Sequence, residues 1–196
     1  MRRQLVTGLM MTLSMIVLVG LAYPLAMTGI AQGLMKSKAN GSYVSQKGKV
    51  VGSSLIGQSF VLKSGAPDPR YFQPRPSAAG AGYDAMNSGG SNDGPSSKTL
   101  IANVRGRVTA YRKLNGLPAT AKVPIDAVTA SASGLDPDIS VANATLQAPR
   151  VAQARKLTTS NVLALVKSHT DDRQLGILGE KTVNVLDLNL ALDRTS

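Results

Sequence analysis

The chain has no cysteine and no tryptophan, one histidine, two phenylalanines and five tyrosines. Without cysteine there is no disulfide, no thiol nucleophile, no zinc ribbon and no Cys-ligated iron–sulfur cluster. The lone histidine, His169, excludes any metal site that needs a pair, HExxH included. So few aromatics leave little material for stacking on bases, and nucleic acid is not an expected partner. Acidic residues are scarce as well: 11 against 22 Lys and Arg, for a net charge of +11. None of them falls in residues 1–64. The phosphate loop GxxxxGK[ST] is missing, because Gly48-Lys49 has Tyr43 in place of the first glycine and Val50 in place of Ser or Thr. GxGxxG, EF-hand and kinase signatures are missing too.

What is present is a chain of 196 residues, the length of one domain with an appendage. Charged residues make up 17%, below the roughly 25% of soluble proteins. A mean hydropathy of +0.01 therefore suggests a polar body carrying one very apolar piece. That piece is Leu5 to Leu25, with no charge between Arg3 and Lys36. About 20 helical residues cross a bilayer core, so the stretch predicts one transmembrane helix over 5–25. Tyr23 and Pro24 mark its interfacial end. The run is too long for a signal-peptide core and no A-x-A site follows, so a retained anchor is expected. Arg2 and Arg3 flank one end and Lys36 and Lys38 the other, which leaves the positive-inside count tied. The short N-terminus, residues 1–4, favours the topology that exports the long C-terminal domain.

Residues 26–40 read as a linker and 41–196 as one mixed α+β globular domain with long Gly/Ser/Pro-rich loops. Asn40-Gly41 is a turn signal. Lys49-Val50-Val51 and Leu55-Ile56 predict short strands separated by Gly52 and Ser53. Five lysines in 36–64 suggest a solvated basic face, with membrane lipid headgroups as the alternative contact. From Pro76 to Ser97, 12 of 22 residues are Gly, Pro or Ser. A loop that long is functional or disordered. It contains Ser88-Gly89-Gly90-Ser91-Asn92, which reads as a plain turn cluster or as a cradle aiming N–H groups at an anion.

Ser96 or Ser97 can cap a helix carrying Leu100, Ile101, Val104, Val108 and Tyr111 and closing at Asn115-Gly116. Arg105, Arg107, Arg112 and Lys113 give it a basic, solvated face. Thr129 to Asp138 is a run of small hydroxyl residues ending in an Asp-Pro turn. A nucleophile at Ser131 or Ser133 would need a base, and nothing places His169 beside them. Ser140 can cap a helix through about Leu146, with Pro149 kinking or restarting it toward Arg155. Thr158 to Ser160 can cap another. Thr182 to Val185 predicts a strand. Leu186, Leu188, Leu190 and Leu192 then alternate as a strand does, although Leu, Ala and Asp leave a helix open.

Several stretches together resemble the KdpC family, the accessory subunit of bacterial ATP-driven potassium importers. They are Asn40-Gly41-Ser42, GSSLIGQSF at 52–60, YFQPRPSA at 71–78 and SGGSN at 88–92. VTASASGLDPDIS at 128–140, QAPRVAQAR at 147–155 and VNVLDLNLALD at 183–193 complete the set. The resemblance implies a single-pass protein of the bacterial cytoplasmic (inner) membrane. It also implies two partners, a potassium-conducting subunit and a P-type ATPase catalytic subunit. It implies no catalytic residue, no metal and no tightly bound cofactor in this subunit, whose role is to stabilise assembly. The family is described as a catalytic chaperone that raises the ATPase subunit's affinity for ATP. SGGSN resembles the ABC-transporter signature, which makes Ser88, Gly89, Gly90, Ser91 and Asn92 the implied nucleotide contacts, although Ser91 stands where that signature has Gln. An exported domain cannot meet cytosolic ATP, and the alternative is an extracytoplasmic clamp or gate on the potassium-conducting subunit. Tyr71, Phe72, Arg75, Pro76, Ser131, Ser133, Gly134, Leu135 and Asp136 are the expected interface residues. Small residues permit close approach there, and Tyr, Phe and Arg are interface types. A membrane-anchored serine hydrolase is the remaining reading.

Overall fold

In the computed structural model, which describes residues 1–195, the apolar N-terminal sequence forms one helical run, Arg2–Leu34. It comprises α1 (Arg2–Met15), a wide-turn π segment (Ile16–Ala22) and α2 (Tyr23–Leu34). The run buries none of its side chains in the protein and is long and apolar enough to cross a membrane. The helix does not stop at Pro24. Proline lacks an N–H and its ring crowds the carbonyl four residues back. Here Pro24 lies in the first turn of α2, directly after the π segment, whose extra width accommodates the ring. Helix therefore continues into the stretch expected as linker, and a short α3 (Lys36–Ala39) follows.

The chain divides into two units, Met1–Tyr43 and a larger one from Val44 onward. β1 (Tyr43–Gln46) and β2 (Lys49–Ser53) form a two-stranded hairpin. Its turn residues Lys47 and Gly48 have φ of 50° and 77°, the two-residue geometry that matches strand twist. β2 runs through Gly52 and Ser53, where a break was expected. Leu55 and Ile56, expected as strand, lie instead in a turn in which the Ser53 hydroxyl accepts the Leu55 N–H at 3.2 Å. From there to α4 (Lys98–Leu114) no helix or named strand forms among the described residues.

Ser97 caps α4 by accepting the Leu100 N–H, and Gly116, at φ 62°, follows its end. The helix's basic face is only partly solvated. Arg107 donates to the Val128 carbonyl at 3.1 Å, and Arg112 donates to that of Ala121 at 2.6 Å. These two arginines pin the following loop to α4. β3 (Asp138–Ser140), β5 (Thr182–Asn184) and β4 (Thr170–Asp171) make an antiparallel sheet in the order β3-β5-β4. Ile139 and Thr170 both lie opposite Val183.

α5 (Val141–Arg155) starts at a Ser140 cap, passes Leu146 without a break and continues through Pro149. α6 (Thr159–Ser168) starts at a Thr158 cap. The leucine alternation at 186–192 is helical: α7 spans Val185–Thr195. Asn184 accepts the Asp187 N–H at 3.1 Å and closes its first turn. Leu188 and Leu192 face the core while Leu186 and Leu190 line a cleft on another side. Burial on two sides produced the period-two pattern. The core gathers Ile139 and Val183 from the sheet with Ala148, Val151, Val162, Val166, Leu188 and Leu192 from α5, α6 and α7. Phe72, from the long loop, is inserted among them.

Candidate functional site

The long loop is ordered by amide and guanidinium side chains. Asn189 on α7 is wholly buried, and its side chain pairs with the backbone of Phe72 in both directions. Its oxygen accepts the Phe72 N–H at 2.9 Å and its nitrogen donates to the Phe72 carbonyl at 3.0 Å. Gln147 on α5 does the same to Gln73, at 2.7 and 3.0 Å. Each side chain supplies what a neighbouring strand would have supplied to an extended segment. Asn143, Gln147 and Arg150 lie four and three residues apart, on one face of α5. Asn143 receives the Tyr111 hydroxyl at 2.8 Å and donates to Asp126 at 2.9 Å. Arg150 donates to Asn115, Gln147 and the carbonyls of Pro69 and Tyr71 at 2.7–3.0 Å.

No carboxylate pairs directly with Arg150 among the described residues. Burial pulls its pKa down to about 10, so it stays charged at neutral pH. This polar spine holds the YFQPRP segment to the helical core. Sequence reasoning did not find it. The available signal was three long polar residues at helical spacing among alanines and valines.

The other loops of the family motifs lock onto this segment and onto one another. Ser77 donates to the Gly134 carbonyl at 2.7 Å and accepts the N–H groups of Ala79 and Tyr83. The Tyr83 hydroxyl donates to the Arg75 carbonyl, and burial raises its pKa above the ordinary tyrosine value. Arg75 meets Asp136 at 2.7 Å. Its Nε is buried and makes no hydrogen bond among the described residues. Gly57 donates to the Leu135 carbonyl at 2.8 Å. Gly134 needs to be glycine twice over: φ is 67°, and a Cβ would lie 2.6 Å from the Ala79 nitrogen.

The expected nucleotide segment is engaged within the same cluster. The Ser88 hydroxyl and the Gly89 N–H both donate to the Ser133 carbonyl, each at 2.9 Å. Gly90 packs on Ala132, and Ser91 and Asn92 are exposed. Two of the donors that an anion cradle would use thus point into the protein.

Of the expected interface residues, Arg75, Ser131, Ser133, Leu135 and Asp136 line one open depression of about 700 Å³ together with Leu55 and Ile56. Pro76 and Arg75 also line a cleft of about 760 Å³ against α4. Gly134 is buried beneath the depression. Tyr71 lies elsewhere, stacked under Arg155 and donating to Asp193 at 3.3 Å. Phe72 is a correction. At 0% exposure it is a core side chain and presents nothing to a partner. His169 closes α6 with Nδ1 against the Leu165 carbonyl and the Ser168 hydroxyl. It makes no hydrogen bond to Ser131 or Ser133 among the described residues, so the structure assembles no Ser-His pair there.

The protein thus carries one apolar helix long enough to cross a membrane, followed by an α+β domain. The chain belongs to the KdpC family: the family model described as K+-transporting ATPase, c chain, matches residues 5–194. Among curated relatives, the potassium-transporting ATPase KdpC subunit of Mycobacterium tuberculosis is 56% identical over 194 residues, covering 99% of this chain and all of the relative. Those of Gemmatimonas aurantiaca and Rhodospirillum rubrum are 52% and 50% identical over 197 and 194 residues. They cover 100% and 98% of this chain and 95% and 96% of the relatives.

Proposed function

We propose that this chain is the accessory subunit of an ATP-driven potassium import complex, held in the bacterial inner membrane by its N-terminal helix, with its domain outside the cytoplasm. It acts there as an assembly clamp on the potassium-conducting subunit. The observation that carries this reading is the depression around Arg75 and Asp136. Three separate motif segments line it, a fourth is bonded to it at Ser133, and Leu55 and Ile56 are exposed at its edge. A partly apolar surface that carries the Arg75–Asp136 ion pair suits a protein partner.

ATP contact is not part of this clamp, because the Ser88 and Gly89 donors are engaged by Ser133. A rise in the ATP affinity of the catalytic subunit, the catalytic-chaperone role, is then transmitted through the subunits that the domain touches. Two measurements test the reading. A cysteine placed at Ser45, in a chain with no other, is expected to react with an impermeant thiol reagent in intact cells. Reaction only after lysis would put the domain in the cytoplasm and return ATP as a direct ligand. Titration calorimetry of the purified full chain is expected to show no saturable ATP binding. Saturable binding that Ser88→Ala abolishes would contradict the clamp.

A further inference from the structure

Two hairpins of the domain end in lysines. The first is β1–β2, with Lys47 in its turn and Lys49 directly after it. The second is a short turn closed by the Val61–Pro67 bridge and by the Leu62 N–H on the Ala66 carbonyl at 2.8 Å, with Lys63 at its tip. The two stand side by side, because Gln46, Val51 and Val61 line one cleft. Lys47, Lys49 and Lys63 are exposed and pair with no carboxylate among the described residues. Between these charges the hairpins expose Val50, Val61 and Leu62, at 62%, 47% and 41%. The first acidic residue of the chain is Asp68, which lines the same cleft with Asp193, and both are paired with arginines, Arg70 and Arg155.

The sequence also limits how far this surface can be from a bilayer. Val44 follows Leu34, the last residue of the apolar run, by ten positions. Ten residues reach about 35 Å only at full extension, and α3 within them shortens that reach. A lysine surface with interspersed aliphatic side chains is the chemistry that an anionic headgroup layer selects.

We propose that these two lysine-tipped hairpins form a docking surface for the anionic lipid headgroups of the membrane that holds the N-terminal helix. This rests on the anchor reading above. The surface is separate from the depression at Arg75, whose lining residues it does not share. Seating the hairpins on headgroups would present the depression in a narrower range of orientations.

The test uses the full chain reconstituted in lipid nanodiscs, with an environment-sensitive fluorophore on a cysteine replacing Val50. Met86, 91% exposed, carries the control probe. Co-elution of chain and disc tests the anchor by itself, so a failed anchor and a failed docking surface give different results. In discs containing phosphatidylglycerol, the probe at position 50 is expected to shift to the blue and lose about threefold in iodide quenching relative to phosphatidylcholine discs. The probe at position 86 is expected to be unchanged. Lys47→Glu with Lys49→Glu and Lys63→Glu, or about 0.5 M salt, should abolish the difference. Equal quenching in the two lipids overturns the proposal. So does protection that appears only in the assembled complex whatever the lipid charge, because that assigns the hairpins to a protein partner.

Discussion

Arg150 shows how a charge is kept inside this small domain without an acid beside it. Four neutral acceptors, two of them backbone carbonyls of the proline-rich segment, take its donors. Removing it takes away the donor to the Asn115 side-chain oxygen and the Pro69 carbonyl, whereas Gln147 and Tyr71 keep their hydrogen bonds from Gln73. Arg150→Ala is expected to destabilise the domain by about 2–3 kcal/mol in chemical denaturation. Arg150→Lys should recover little, since an ammonium cannot span the same fork.

Asp68 makes the opposite case. Its carboxyl is held below the usual range chiefly by the hydrogen bond from the Arg70 guanidinium, at 2.7 Å. A folded pKa lower than the unfolded one gives stability that is complete above the ordinary aspartate value. That stability is lost as pH falls through the lowered folded value. Asp68→Asn is therefore expected to lower the melting temperature at pH 7 and to leave a flatter loss of stability toward acid. A variant with an unchanged acid limb would place the pH dependence elsewhere. Neither residue's role was legible in the sequence. Asp68 and Arg70 sit in a proline-punctuated stretch that carries no period, and Arg150 looks like any helical arginine until its partners are known.

At the scale of elements, capping chemistry was readable and periodicity misled once. Ser97, Ser140 and Thr158 each begin a helix as their positions suggest, because a hydroxyl just before an apolar pattern has one local use. Ser140 does more than cap: Asp126 accepts both its N–H and its hydroxyl, at 2.8 and 2.9 Å. Ser140→Ala is expected to cost about 1–2 kcal/mol of stability, and Ser140→Asp, which caps but meets the Asp126 carboxylate, should not rescue it. α7 was the misleading element. Its leucines alternate because both a core side and a cleft side are apolar, and only the scarcity of strand-rich types among its Leu, Ala and Asp pointed the other way. α5 passes through Pro149 where sequence rules predict a kink or restart. The packing of Ala144, Ala148, Val151 and Ala152 into the core outweighs the lost hydrogen bond.

For the whole molecule, the apolar helix and the α+β class were evident from hydropathy and from mixed periods. The convergence of the loops was not. Residues 57, 75–77, 88–89 and 131–136 have no periodic relation, and only folding brings them to one place. On the reading proposed above, this subunit grips its complex at the depression that Leu55, Ile56, Arg75 and the 130–137 loop line. The most direct measurement is co-purification of the complex from membranes with Leu55→Asp and Ile56→Asp combined, beside Leu175→Asp as a control on a more exposed leucine. Leu55, Ile56 and Leu175 are 61%, 37% and 89% exposed, and the melting temperature of each variant checks that its fold is kept. The double variant is expected to be inserted and folded yet to lose at least about tenfold of the co-purifying subunits, as truncating a central interface contact does. The control should assemble normally. Full assembly of the double variant would contradict the clamp.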